Sequence, residues 1–119
     1  MAATFDLTND NRIFCGATYT YAVTLKDGTG AAIDLTNASL ASQIRKTQAA
    51  SEILATFSVA VTDATNGKAT FSLSPVQTTA LPATAADTYW KHDVLLTRAD
   101  GVKIRILEGN VEIDAAVTR

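Results

Sequence analysis

Apolar and polar residues alternate with a period of two along several short segments of the chain. Such alternation is typical of β-strands that bury one face. Residues 17–26 show it most clearly, because threonines and a lysine occupy one side and apolar side chains occupy the other. The apolar side carries Tyr19, Tyr21, Val23 and Leu25. The same reasoning predicts further strands over residues 32–35, 40–46, 53–61, 69–73, 88–98, 102–106 and 111–113.

The predicted strands also indicate which side chains form the core. In residues 53–61 and 69–73 the odd-numbered positions are apolar and share one face. In residues 88–98 another shared face is formed by Trp90, His92, Val94 and Leu96. His92 is therefore expected on a buried face, and Asp93 on the opposite one. The residues expected to fill the core are Tyr19, Phe57, Phe71 and Trp90.

Turn signals separate these strands. They are Asp27-Gly28, Asn66-Gly67 and Asp100-Gly101. Asn66-Gly67 is expected to supply the left-handed positions of a hairpin loop, and Asp100-Gly101 indicates a two-residue turn. Gly109 is expected to mark a bulge or bend in a strand.

One short helix is predicted near residues 75–80. Ser74 is a good N-cap, Pro75 suits the first helical position, and Gln77 stands where a capping box requires it. The helix should end before Pro82, because proline disfavours helical geometry in the residue that precedes it.

Together these elements predict an all-β fold. About seven or eight short antiparallel strands, with turn signals every ~8–12 residues, indicate an immunoglobulin-like β-sandwich. A closed barrel is the alternative, since alternation alone does not separate the two. The 119 residues fit one domain, in which residues 1–16 form an N-terminal arm or a first strand.

Composition and charge narrow the function classes. The net charge is −2, from 10 basic and 12 acidic residues spread along the chain, and no run of Lys or Arg suggests nucleic-acid binding. No apolar stretch is long enough to span a bilayer. The first residues lack the basic and apolar regions of a secretory signal, so synthesis and folding in a cytoplasm are expected.

Candidate chemistry is sparse. Cys15 has no Cys or His at metal-ligand spacing and is interpreted as a small apolar residue. His92 is the single histidine, and Asp93 points away from it, so the two do not form a catalytic pair. We therefore expect no catalytic, cofactor-binding or metal-binding residue, and no enzyme. A binding surface, favoured by Trp and Tyr side chains, is expected to involve Tyr19, Tyr21, Trp90, His92 and Arg119.

Several short motifs recur in a fixed order from about Thr18 onward. They are Ile33-Asp34-Leu35-Thr36-Asn37-Ala38, Ile44-Arg45-Lys46, Asp63-Ala64-Thr65-Asn66-Gly67-Lys68, Leu73-Ser74, Gln77-Thr78, Leu81-Pro82, Asp93-Val94, Asp100-Gly101, and the ending from Glu108-Gly109-Asn110-Val111 to Val117-Thr118-Arg119. In this order the chain resembles the immunoglobulin-like N-terminal domain of phage baseplate upper proteins, and related small stand-alone phage virion proteins. It departs from that pattern at His92, where the family tends to place tyrosine.

The resemblance implies a virion structural protein that acts through protein–protein assembly. Because no fibre or receptor-binding portion follows Arg119, an adaptor at the tail, baseplate or fibre attachment is expected. The expected partners are other virion proteins, with several copies of the chain in the particle or a homo-oligomer. Two alternatives stay open, a decoration protein of the capsid and a carbohydrate-binding module.

Overall fold

Two β-sheets pack against each other around one hydrophobic core in the computed structural model, which describes residues 3–27, 29–84 and 88–115. The strands within these ranges are β1 (Ala3–Thr4), β2 (Ile13–Phe14), β3 (Tyr19–Thr24), β4 (Ser39–Arg45), β5 (Ala55–Thr56), β6 (Ser58–Asp63), β7 (Lys68–Leu73), β8 (Trp90–Thr97), β9 (Lys103–Val111) and β10 (Ile113–Asp114). Helix α1 (Pro75–Thr79) follows β7, and a 3-10 turn (Asn9–Asn11) precedes β2.

The strand order is that of an immunoglobulin-like sandwich. One sheet has the order β1-β9-β8-β4-β5 and the other has the order β3-β7-β6. The neighbours β3-β7-β6 and β9-β8-β4 correspond to strands B-E-D and G-F-C of that fold. β10 and β2 form a small parallel pair. The predicted all-β sandwich is confirmed, and the open order of both sheets is not that of a closed barrel.

The N-terminal segment, residues 3–15, lies along the edge of β9 and β10. β1 pairs with β9 in parallel, and the Leu7 N–H continues the ladder by donating to the Asn110 carbonyl at 2.8 Å. Leu7 and Ile13 are fully buried. The segment predicted as an arm or a first strand therefore provides short strands and two core side chains.

Aromatic side chains from both sheets meet at the centre of the core. The Tyr21 ring stacks on Phe71 with centroids 5.0 Å apart, and Phe57 packs edge-on against both. Across the sandwich, the Tyr21 centroid lies 6.4 Å from that of His92. The predicted inward faces of β3, β7 and β8 are confirmed, since their inward positions are buried or half-buried.

The predicted strand over residues 53–61 is wrong as one element, because the chain changes sheets at Phe57. β5 pairs with β4 in the five-stranded sheet, whereas β6 pairs with β7 in the three-stranded sheet. Ala55 and Phe57 are buried as expected, but Ile53 and Val61 are 45% and 41% exposed. Ile53 precedes β5, and Val61 lies on an edge strand, so neither is covered from both sides.

Residues 32–35 pair back on the chain after β3 as predicted, but through a single bridge and not as a regular strand. Only Ala32 pairs back, through an isolated bridge to Lys26, and the Ile33 N–H donates to the Leu25 carbonyl at 2.9 Å. The Asp34 carboxylate then accepts the Thr36 N–H at 2.9 Å. This Asx turn ends the pairing, because it directs the backbone away from β3.

The turn containing Gly67 packs tightly beneath that loop. Gly67 has φ +70°, as expected for a left-handed position, but Asn66 does not. Asn66 instead donates its side-chain amide to the Asp63 carboxylate at 2.8 Å. The Gly67 carbonyl accepts the Leu25 N–H at 2.8 Å, so this turn joins the end of β3 to the β6–β7 hairpin.

The β8–β9 hairpin turns through three residues rather than the predicted two. The Arg98 N–H donates to Val102 O at 2.8 Å, and the Gly101 N–H donates to Arg98 O at 2.9 Å. Gly101 takes φ +89°. A left-handed third loop residue of this kind is common in three-residue hairpins.

Gly109 does not mark the bulge of β9, which lies at Ile106. The register shifts there, because Val94 is opposite Leu107 whereas Leu95 is opposite Arg105. Gly109 serves close packing instead, since a Cβ atom on it would lie 2.2 Å from the Phe5 carbonyl oxygen. The predicted strands over residues 102–106 and 111–113 are therefore β9 and β10, with the bulge inside β9.

The predicted helix is confirmed with its capping box. The Gln77 N–H donates to Ser74 Oγ at 3.2 Å, and the Ser74 N–H donates to Gln77 Oε1 at 2.9 Å. Thr78 is fully buried, and its hydroxyl accepts the Gly16 N–H and donates to Ala17 O. The helix thus fixes the chain just before β3.

Candidate assembly surfaces

The five residues predicted for an interface lie in different environments. Tyr21 and His92 are buried, at 8% and 4% exposure, on facing sheets. Tyr19 is half-buried and its hydroxyl donates to Asn11 O at 2.6 Å. Trp90 is half-buried and its indole N–H donates to Pro82 O at 2.9 Å. Arg119 lies outside the described residues, and the interface role of the five stays a prediction.

His92 connects the core to the N-terminal segment. Its Nε2 lies 2.6 Å from the Phe5 carbonyl oxygen, which can only accept, so Nε2 carries the proton. Nδ1 is buried and has no hydrogen-bond partner among the described residues. Burial lowers the pKa of His92, and the Phe5 carbonyl, Asp93 and Asp6 oppose that shift only in part. The ring is therefore neutral at pH 7 and holds Phe5 in place.

Lowering the pH from about 7.5 to about 5.5 is expected to lower the Tm. The folded state keeps His92 neutral, whereas the unfolded chain takes up a proton near its ordinary pKa of about 6.5. Below that pH the unfolded chain binds more protons than the folded protein. The free energy of unfolding therefore falls as the pH drops below about 6.5, by no more than about 1.4 kcal/mol per pH unit. Calorimetry across this range measures the effect.

His92→Gln is the matched variant, because glutamine keeps an N–H donor for the Phe5 carbonyl and does not titrate. Its Tm should be nearly constant over the same range. Aspartates in turns, such as Asp27 and Asp100, titrate well below this pH range, because hydrogen bonds to their carboxylates lower their pKa. An equal fall of Tm in the variant would contradict this account of His92.

The outer face of the five-stranded sheet carries charges in rows. Arg45 on β4 stands directly opposite Lys91 on β8, and Asp93 on β8 stands directly opposite Glu108 on β9. Arg105 offsets one of the two negative charges in the acidic row, with its guanidinium 3.3 Å from the Asp93 carboxylate and 3.7 Å from that of Glu108. This face therefore places two cations beside two carboxylates that share one counter-ion.

A cleft of about 310 Å³ lies on this charged face, beneath the loop that joins β4 to β5. Gln48 of that loop reaches across to β9, donating from Nε2 to Glu108 Oε2 at 3.2 Å. We call this cavity the charged cleft; its polar lining includes Gln43, Arg45, Thr47, Gln48, Lys91 and Asp93. The sequence does not predict this cleft, because the alternation of β4 and β8 does not reveal which residues stand opposite each other on the two strands.

The three-stranded sheet has the opposite character. Its edge strands, β3 and β6, are six residues long, whereas the edge strands of the five-stranded sheet, β1 and β5, have two residues each. The only charged residue of β3 and β6 is Asp63, at the end of β6. The solvent-facing side of this sheet is formed by Thr20, Ala22, Thr24, Ser58, Ala60, Lys68, Thr70 and Ser72.

A second groove, of about 750 Å³, opens between the β8–β9 hairpin and the loop after β3. Its apolar floor includes Ile33, Leu96 and Ile104, of which Ile104 is 39% exposed. Charged side chains of both signs line the groove, among them Lys26 and Arg98, and Asp27 and Asp34. The mixed charges give no preference for a partner of either charge.

Other candidate chemistry is limited within the described part of the chain. There, no group of three His, Cys, Asp or Glu side chains is placed to hold a metal ion, and no helix could cross a membrane. Cys15 is half-buried, with its Sγ 3.7 Å from Leu81 O.

Comparison with known proteins returned no family. Neither a protein-family model nor a curated protein matches the chain.

Proposed function

We propose that this chain is a structural component of a bacteriophage particle, an adaptor at the tail, baseplate or fibre-attachment region that acts through protein–protein assembly. The motifs between the strands support the phage assignment through their resemblance to baseplate upper proteins. The observation that carries the assembly role is the pair of long, nearly uncharged edge strands of the three-stranded sheet.

Exposed edge strands present unpaired N–H and C=O groups to any neighbouring strand. Soluble proteins usually protect such edges with lysine, proline or short strands. Here β1 and β5 are short, but β6 presents an uncharged run from Ser58 to Val61 before its bulge at Thr62. A partner strand can add to this edge through backbone hydrogen bonds, which is a common mode of assembly.

A carbohydrate-binding role is less well supported by the aromatic side chains. An exposed platform would need two or three rings facing solvent together. Tyr21 is buried, Tyr19 is hydrogen-bonded to Asn11, and the Lys46 ammonium lies 5.5 Å from the centroid of the Trp90 ring. Capsid decoration uses the same kind of surface as a tail adaptor, and copy number separates the two, since hundreds of copies per particle indicate the shell.

Ala60→Lys is expected to reduce incorporation of the chain into particles by about tenfold or more, because a charge at the centre of β6 opposes strand addition. Ala60 is exposed, so the fold should be retained. Quantitative mass spectrometry of purified particles, from infections complemented with each variant, measures copies per particle.

Ala99→Lys is the matched control, since it makes the same change at an exposed position in the β8–β9 hairpin. It should incorporate like the unchanged chain. If Ala60→Lys also incorporated normally, assembly through β6 would be refuted. If the unchanged chain were absent from purified particles, the proposed function itself would be wrong.

A further inference from the structure

Arg45 and Lys91 place two like charges side by side in the charged cleft. The two residues are directly opposite on the same face of β4 and β8, and both are half-buried. Cross-strand neighbours of like charge destabilise a sheet. Among the described residues, the ion pairs within 4.0 Å leave both cations without a carboxylate.

Neutral oxygen atoms hold both side chains in place. The Arg45 guanidinium donates to Ala50 O at 2.6 Å and to Gln43 Oε1 at 3.1 Å, and Lys91 donates to Asn110 Oδ1. Guanidinium has five N–H donors and ammonium has three, so both retain donors for a further acceptor. An anion between the two would relieve their repulsion and use these donors.

We propose that the charged cleft binds a single carboxylate side chain of a partner protein, held between Arg45 and Lys91. The cleft volume of about 310 Å³ accommodates one side chain. The flanking residues decide against a nucleic-acid backbone, because Asp93 and Glu108 stand directly opposite each other in the next row and would repel a run of phosphates. Asp93 and Arg105 both line the cleft, and the Arg105 guanidinium, 3.3 Å from the Asp93 carboxylate, offsets that one charge for a single bound carboxylate.

This site lies on the outer face of the five-stranded sheet, whereas the edge strands of the proposed assembly lie in the other sheet. The inference therefore does not depend on a virion as the setting. One chain could then contact two partners. One partner would add a strand to the three-stranded sheet, and the other would place a carboxylate in the charged cleft of the five-stranded sheet.

The test is an NMR titration of the isolated protein with the acetylated, amidated tripeptide glycyl-glutamyl-glycine, using its glutaminyl counterpart as the control ligand. At constant ionic strength, the glutamyl peptide should cause saturable shifts in the amides of residues 45–50 and 91–93. Lys91→Gln should weaken its binding about fivefold or more, because a charge-assisted hydrogen bond is lost. Without peptide, this variant should melt about 1–4 °C higher, because the like-charge pair is removed.

Lys103→Gln is the matched control, since Lys103 stands opposite the neutral Thr97 and outside the charged cleft. It should bind the glutamyl peptide like the unchanged protein. The proposal would be overturned by equal shifts with both peptides, by unchanged binding in Lys91→Gln, or by saturable binding of inorganic phosphate without binding of the glutamyl peptide. The last result would assign the cleft to a phosphate-bearing ligand instead.

Discussion

Gly67→Ala is expected to destabilise the protein by about 3–4 kcal/mol, which corresponds to a fall in Tm of more than about 10 °C. Two costs combine at this position. Gly67 has φ +70°, a conformation that is strained for alanine. Its Cβ would also lie 2.6 Å from Leu25 O and 2.7 Å from Ile33 O. Both are backbone atoms, so neither can move without disturbing the end of β3 and the following loop.

Gly101→Ala separates the two costs. Gly101 has φ +89° in a hairpin turn, but nothing lies within 4 Å of the Cβ position. Its substitution should cost only the backbone strain, about 1 kcal/mol. Urea unfolding of both variants measures the difference. Equal losses of stability at the two positions would contradict the close packing of the Gly67 turn against the loop after β3.

Gly109→Ala is expected to cost about 3 kcal/mol by displacing the N-terminal segment from β9. The new Cβ would lie 2.2 Å from the Phe5 carbonyl oxygen and 2.7 Å from its carbon. That oxygen also accepts the hydrogen bond from His92, and the neighbouring N–H of Phe5 donates to Glu108 O at 2.9 Å. Alanine at this position therefore breaks the contacts that join the first strand to the core.

Hydrogen exchange distinguishes this local effect from a general loss of stability. In Gly109→Ala the amides of Phe5 and Leu7 should exchange much faster, and the amides of the β3–β7 pairing should change least. Gly30→Ala is the control, because Gly30 lies at φ +86° with nothing within 4 Å of its Cβ position. Retention of slow exchange at Leu7 in the Gly109 variant would show that the segment tolerates the added methyl group.

The elements that sequence predicts well are those set by local interactions. The inward residues of β3, Tyr19, Tyr21 and Val23, recur at every second position, and the residues between them are exposed. The capping box of α1 involves only Ser74 and Gln77, three residues apart. Such features can be predicted from sequence, because the residues that define them are only a few positions apart.

The features that sequence does not predict depend on distant parts of the chain. Alternation continues through Phe57, so nothing local signals that β5 and β6 belong to different sheets. Gly109 suggests a bend, but its role is set by Phe5 from the opposite end of the chain. Predicting the Arg45–Lys91 pair requires knowing the register of β4 against β8. Alternation indicates which face of the sheet a residue occupies, but not which residue stands opposite it on the next strand.

The surfaces divide the molecule into two functional sides. The five-stranded sheet has short edges and a charged outer face. The three-stranded sheet has long edges and an outer face whose charges in the strands are Lys68 and, opposite it, Asp63. His92 and Gly109 keep the N-terminal segment on the first of these sheets. In the proposed adaptor, this arrangement leaves β3 and β6 open to partner strands.

Electron cryomicroscopy of particles of the phage that encodes this chain tests its role as an assembly module most directly. The chain should be located in the tail, baseplate or fibre-attachment region, with β6 or β3 paired to a strand of a neighbouring protein. Copies found on the shell in large number would place the same module in capsid decoration. Particles without the chain, or copies whose three-stranded sheet faces only solvent, would contradict the account.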